Sequence, residues 1–182
     1  VNRLRGAYNM GLDGHVQCNC IKEGKIKTPP FDLNLIKYEN NIYDISEDVD
    51  DKTFTINPQK IEDSITAKTS AIIATHVYGN PCDIEAIDDI AKRKGLKVIY
   101  DAAHCFGVKY KDKPITNYGD ASVLSFHATK LFHTVEGGAL LTPHAYIFER
   151  FKFMRNFGHN GEEKFFGPGI NGKNSEVHAA MG

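Results

Sequence analysis

At 182 residues the chain is long enough for a single domain with a real core. Its 22 Lys and Arg stand against 23 Asp and Glu, so it lacks the basic excess that binding a phosphate backbone requires, and no nucleic-acid partner is expected. No run approaches the roughly 20 apolar residues needed to span a bilayer, and the start VNRLRGAYNMGLDG lacks the apolar core of a signal peptide, so a cytoplasmic protein without a membrane partner is expected.

Residues 1–47 carry Gly6, Gly11, Gly14, Gly24, Pro29 and Pro30 with no sustained period of 2 or 3.6, and no fold is assigned to them. His15, Cys18 and Cys20 are zinc-ligand types, but no second pair follows at ligand spacing, and no metal is expected. With Cys82 and Cys105 they make four cysteines too scattered for a disulfide framework.

From Asp48 the chain becomes regular. Asp48-Val49-Asp50-Asp51 reads as a turn cluster, and Pro58 to Ile65 as a short helix with proline in its first turn. Ser70 to Thr75, SAIIAT, is a continuous apolar run that predicts a strand covered on both faces. A helix follows: Asp83 is placed to cap it, Ile84, Ile87, Ile90 and Ala91 recur at helical spacing, and Gly95 is placed to end it. Lys97 to Tyr100 is the next strand and runs directly into Asp101. This order of strand, helix and strand predicts a right-handed crossover and an α/β class. Residues 120–126 and 138–142 supply two more strands, and Tyr146 to Asn156 a helix.

Asp101 falls at the carboxyl end of a strand, where open α/β sheets place their ligands, although a helix cap or turn aspartate would look the same. His104 alone reads more readily as a packed histidine, and Lys130 alone as a surface lysine in a hairpin loop. Together they suggest more. A strand-end carboxylate, then Ser125-Phe-His-Ala-Thr-Lys130, then Glu136-Gly137-Gly138 brings an anion, a hydroxyl and an amine to one sheet. These are the groups pyridoxal phosphate needs: an amine for its carbonyl carbon, an acid for its ring nitrogen and donors for its phosphate. The two glycines permit tight backbone beside the lysine loop. His127 and His133 flank the lysine and could touch substrate or merely pack, packing being the preferred reading for want of a partner in the sequence.

The stretches DVDDKTFTINPQKIEDSI, HVYGNPCDIEAI, KVIYDAAHCFG, GDASVLSFHATKLFHTVEGGALLT and GINGKNSEVHAAMG occur in that order from Asp48 to Gly182. On them the chain resembles the large domain of the pyridoxal-phosphate-dependent sugar aminotransferases of the DegT/DnrJ/EryC1/StrS group. The resemblance implies the large domain of the type I aminotransferase fold, a mostly parallel sheet flanked by helices and here incomplete at both ends. It implies that Lys130 bears the cofactor, that Asp101 sits against the pyridine nitrogen, that His104 lies near the ring's 3-hydroxyl and that Ser125 bonds the phosphate. The GINGKN block resembles a segment that reaches the neighbouring subunit's phosphate, with Asn171 the candidate and Lys173 second. A homodimer is implied, together with an amino-acid donor such as glutamate and a keto-sugar nucleotide acceptor; HATKLFHTVEGGAL resembles enzymes acting on dTDP-4-keto-6-deoxyglucose.

Family members are longer, with a Gly-Thr-Ala phosphate cup before the matched region and a smaller domain after it. Within residues 1–47 only Lys37 to Tyr43 is similar to the family. The chain therefore reads as a fragment expected to bind cofactor weakly and to turn over little sugar. Two rival readings are a non-catalytic truncated homologue or pairing subunit, and a sugar dehydratase of the same family, in which a histidine replaces the lysine; Lys130 argues against the latter.

Overall fold

The computed structural model describes residues 49, 50 and 52–182. His15, Cys18 and Cys20, the stretch 37–43, and Asp48 and Asp51 of the turn cluster lie outside the described residues. What is described falls into two compact units, one holding 49–148 with 174–182, the other 149–173.

In the larger unit Asp50 Oδ1 accepts from the backbone N–H groups of Lys52 and Thr53, in a turn that runs from Asp50 to Thr55, beyond the expected cluster. Helix α1 (Pro58–Ser64) starts at Asn57, whose side chain accepts from Gln59 N–H at 3.0 Å, with Pro58 where no helical N–H is needed. Strand β1 (Ala71–Thr75) leads through a short turn into α2 (Ile84–Lys94). Asp83 Oδ1 accepts from Ala86 N–H at 3.1 Å, and Gly95 takes the left-handed conformation, φ 68°, that stops the helix. Ile84, Ile87, Ile90 and Ala91 are the buried face of α2, each large side chain contributing about 1.5–3 kcal/mol of burial. Arg93 forks onto both carboxylate oxygens of Glu62, at 2.6 and 3.2 Å, and so ties α2 to α1.

Strand β2 (Lys97–Asp101) pairs in parallel with β1, Ala71 opposite Lys97 and Thr75 opposite Asp101. A two-stranded ribbon, β3 (Lys109–Tyr110) and β4 (Lys113–Pro114), follows. Then β5 (Ala121–Ser125) joins β2 in parallel, with Asp101 opposite Val123, and β6 (Gly138–Leu141) returns antiparallel, with Ser125 opposite Gly138. The four strands lie in the order β1-β2-β5-β6, a mostly parallel sheet as expected. Helix α3 (Ala145–Met154) follows β6, and α4 (Glu176–Met181) comes last, capped by Ser175.

One expectation is corrected. β1 is not covered on both faces: Ile72 and Ala74 are buried while Ile73 is 40% exposed, because α2 packs on one side of the sheet only. The core lies on that side, where Tyr100, Ile72, Ile87, Ile61 and Ile115 are fully buried.

In the smaller unit, backbone bridges join Asn156 to Asn171 and His159 to Phe165. Phe153 stacks on Phe166 with ring centroids 5.0 Å apart, and the Lys173 ammonium lies 4.1 Å from the centre of the Phe157 ring. Asn171 Oδ1 accepts from Lys173 Nζ at 2.7 Å.

Candidate active site

Asp101 is the last residue of β2 and is held on both sides. His76 N–H donates to its carbonyl at 3.0 Å, and the next residue, Ala102, donates to Val123 C=O at 2.9 Å. Its side-chain Oδ1 accepts from Ala103 N–H at 3.0 Å, so the turn reading was correct as far as that oxygen goes. Among the described residues no hydrogen bond reaches Oδ2, which leaves half of a half-buried carboxylate available at the carboxyl edge of the sheet.

The chain turns tightly after Asp101, Cys105 N–H donating to Ala102 C=O at 2.8 Å, and this puts His104 on the surface rather than in a packed interior. Its ring lies parallel to that of Tyr78, centroids 6.1 Å apart. Tyr78 holds a left-handed backbone, φ 55°, unusual for a bulky residue, in the turn that follows β1. A Cβ on the adjacent Gly79 would come within 3.0 Å of His104 C=O, so glycine is what allows the two turns to meet.

Lys130 sits in the hairpin between β5 and β6. The ladder continues past the strands: Phe126 N–H donates to Gly137 C=O, Thr134 N–H to Phe126 C=O and Ala128 N–H to Val135 C=O, all at 2.8–2.9 Å. Within it Phe132 stacks on Phe106 at 4.3 Å and meets Phe126 edge-on at 5.1 Å, an aromatic floor that joins the hairpin to the turn after β2. Lys130 is half-buried, and among the described residues its ammonium makes no ion pair or hydrogen bond. The hairpin-loop placement expected for this lysine is what the structure shows. Ser125, half-buried at the end of β5, accepts from His127 N–H at 3.3 Å.

A Cβ on Gly137 would stand 2.5 Å from Thr134 Oγ1 and 3.5 Å from Asn174, so the missing side chain lets the segment before α4 close against the hairpin. Asn171 belongs to the smaller unit, with its side chain engaged by Lys173. A cavity of about 390 Å³ lies at the other, amino end of the sheet, among Lys92, Gly95, Lys97, Gly119 and Asp120, away from Asp101 and Lys130. Among the described residues no group of three or more His, Cys, Asp or Glu is placed to hold a metal, and no helix is long and apolar enough to cross a membrane.

The sequence profile of the DegT/DnrJ/EryC1/StrS aminotransferase family matches residues 41–182. The chain belongs to the DegT/DnrJ/EryC1/StrS aminotransferase family. Its relatives include the dTDP-4-amino-4,6-dideoxy-D-glucose transaminase of Shigella dysenteriae, 45% identical over 163 residues, which are 88% of this chain and 44% of the relative. The GDP-perosamine synthase of Escherichia coli O157:H7 is 36% identical over 152 residues, 82% of this chain and 42% of the synthase. The solved structure of DesI in the presence of its TDP-sugar product matches with a TM-score of 0.69 at 37% identity, covering 74% of this chain and 34% of that one. The chain spans less than half the length of these relatives.

In this DegT/DnrJ/EryC1/StrS member, sequence reading missed His76. It is fully buried, its ring stacks on Tyr100 at 4.6 Å, and its Nδ1 accepts from Cys82 N–H at 3.0 Å. Burial pushes its pKa down to about 4 against the pull of the nearby Asp101 charge. Nothing in THVYG marks it, since a histidine after a strand is as common on a surface. His127 was also misjudged as unpartnered: its ring meets Thr129 and faces Glu136.

Proposed function

We propose that the protein is a pyridoxal-phosphate-dependent sugar aminotransferase that moves an amino group from an amino acid, glutamate by resemblance, to a keto-sugar nucleotide. The observation that carries this reading is Lys130: a half-buried amine with no carboxylate partner among the described residues, on a hairpin rooted next to the strand that ends in Asp101. An amine in that setting would otherwise be expected to find a counter-charge or full hydration. The names of relatives such as the Shigella transaminase, and the TDP-sugar product in the DesI structure, support a nucleotide-sugar substrate of the dTDP-4-keto-6-deoxyglucose kind.

The residues at the carboxyl edge suit the cofactor in kind. Lys130 would hold its carbonyl carbon, the unengaged oxygen of Asp101 its ring nitrogen, His104 its 3-hydroxyl and Ser125 its phosphate, with Asn171 of a second copy completing the phosphate contacts in a homodimer. When bound, pyridoxal phosphate supplies an electron sink for the substrate's Cα–H electrons. Asp101, as an anion, keeps a proton on the ring nitrogen. Lys130 would be the base that moves the proton at the substrate carbon, and the two substrates would react in turn.

Incubating the protein with pyridoxal phosphate, fixing the adduct with borohydride and mapping the modified peptide tests the reading. A single modification at Lys130 is expected. Modification scattered over surface lysines, with none at Lys130, would overturn it.

A further inference from the structure

His127 lies between the two proposed cofactor-binding residues of the hairpin and bonds to both through its backbone. Its N–H donates to Ser125 Oγ at 3.3 Å, and its C=O accepts from Lys130 N–H at 2.9 Å. The side chain closes the same turn. Nδ1 accepts from Thr129 N–H at 3.2 Å and lies 3.0 Å from Thr129 Oγ1. A ring nitrogen that accepts a backbone N–H carries no proton of its own, so the neutral ring has its proton on Nε2. That nitrogen faces Glu136 on the returning arm, 3.7 Å from Oε1.

We propose that His127 is a positioning residue for Lys130, its Nδ1 fixing the four-residue turn from which the lysine side chain departs. The inference rests on the reading of Lys130 given above. Three bonds converge on one turn of an exposed loop, and without the ring the backbone N–H of Thr129 would turn to water and the 127–130 turn would open. The Lys130 amine would then sample many positions relative to Ser125 instead of one. The contact to Glu136 is long and both groups are largely exposed, so it adds little; the Nδ1 bond is what matters.

Asparagine and glutamine separate these roles, because an asparagine oxygen reaches about where Nδ1 lies and a glutamine end group about where Nε2 lies. The rate at which Lys130 is modified by pyridoxal phosphate and borohydride is to be compared in the parent, His127→Ala, His127→Asn and His127→Gln, together with amide hydrogen exchange at Thr129 and Lys130. His127→Ala and His127→Gln are expected to slow modification about fivefold to tenfold, as loss of one hydrogen bond implies, and to speed exchange at both amides. His127→Asn is expected to stay within about twofold of the parent in both. Parent-like modification and exchange in His127→Ala, or a His127→Asn protein as impaired as His127→Ala, would overturn the inference. If the parent itself is not modified at Lys130, the proposed function fails instead, and amide exchange alone still decides whether His127 fixes the turn.

Discussion

The His76 ring lies nearly parallel to that of Tyr100, 15° between planes and 4.6 Å between centroids, in the fully buried layer beneath the strand that ends in Asp101. A histidine held neutral in this way makes stability depend on pH. Its folded pKa of about 4 lies below the ordinary 6.5, so between these values the unfolded chain binds the extra proton and stability falls with pH. The contribution is fully present above about pH 6.5 and is lost on the way down to about pH 4, on the order of 3 kcal/mol in all. Urea unfolding from pH 7 to pH 4 is expected to show this loss. His76→Asn, which keeps an acceptor for Cys82 N–H, is expected to flatten the curve over that window.

Lys130→Ala is expected to remove covalent capture of pyridoxal phosphate while changing stability by less than about 1 kcal/mol, since the side chain has no ion pair or hydrogen bond to lose among the described residues. Mass analysis after borohydride, with urea unfolding alongside, checks both halves. Capture at an undiminished level would show that another amine does the work.

Asp101→Asn separates the turn from the chemistry. Asparagine can still accept from Ala103 N–H, so the fold and some cofactor binding are expected to remain. On the proposed function, loss of the charge would remove what keeps the ring nitrogen protonated, and the half-reaction with the amino donor is expected to slow by about a hundredfold or more. A half-reaction at the parent rate would reduce Asp101 to a cap.

At the amino end of the sheet Asp120 takes Val98 N–H on one oxygen, and Lys97 and His144 on the other, each at 2.9 Å. Burial alone would raise its pKa, but Lys97, the Val98 N–H and His144 together hold it below the usual carboxylate value. Its share of stability is therefore present above about pH 4 and lost as pH falls through the depressed value. Asp120→Ala is expected to cost about 2 kcal/mol in urea unfolding at pH 7, with capture of pyridoxal phosphate at Lys130 little changed.

The β1-α2-β2 unit was legible because its signals are local. Asp83, the isoleucine spacing and Gly95 each act within one helix, and the apolar run 70–75 acts within one strand. That Asp101 ends a strand was legible for a related reason, since the run from Lys97 leads straight into it, whereas a role for it or for Lys130 follows only from the resemblance. The aromatic floor of Phe106, Phe126 and Phe132 was not, since it joins segments that only the fold brings together. Nor was the left-handed turn at Tyr78, where local chemistry calls for glycine or asparagine. The exposure of Ile73 escaped because apolar identity says that a side chain can be buried, not which sheet face a helix will cover.

The antiparallel return of β6 has a consequence for how the molecule is assembled. The lysine hairpin pairs Ser125 with Gly138, residues near in sequence whose pairing can close on the microsecond scale, although its aromatic cluster also draws in Phe106. The carboxylate of Asp101 depends on parallel pairing, Ala71 with Lys97 and Ile99 with Ala121, which cannot form until a whole helix or ribbon between the partners has been brought around. The amine is thus set by nearby chain and the acid by distant chain. Substitutions in the helix or in β1 are expected to disturb the Asp101 edge more than the lysine hairpin.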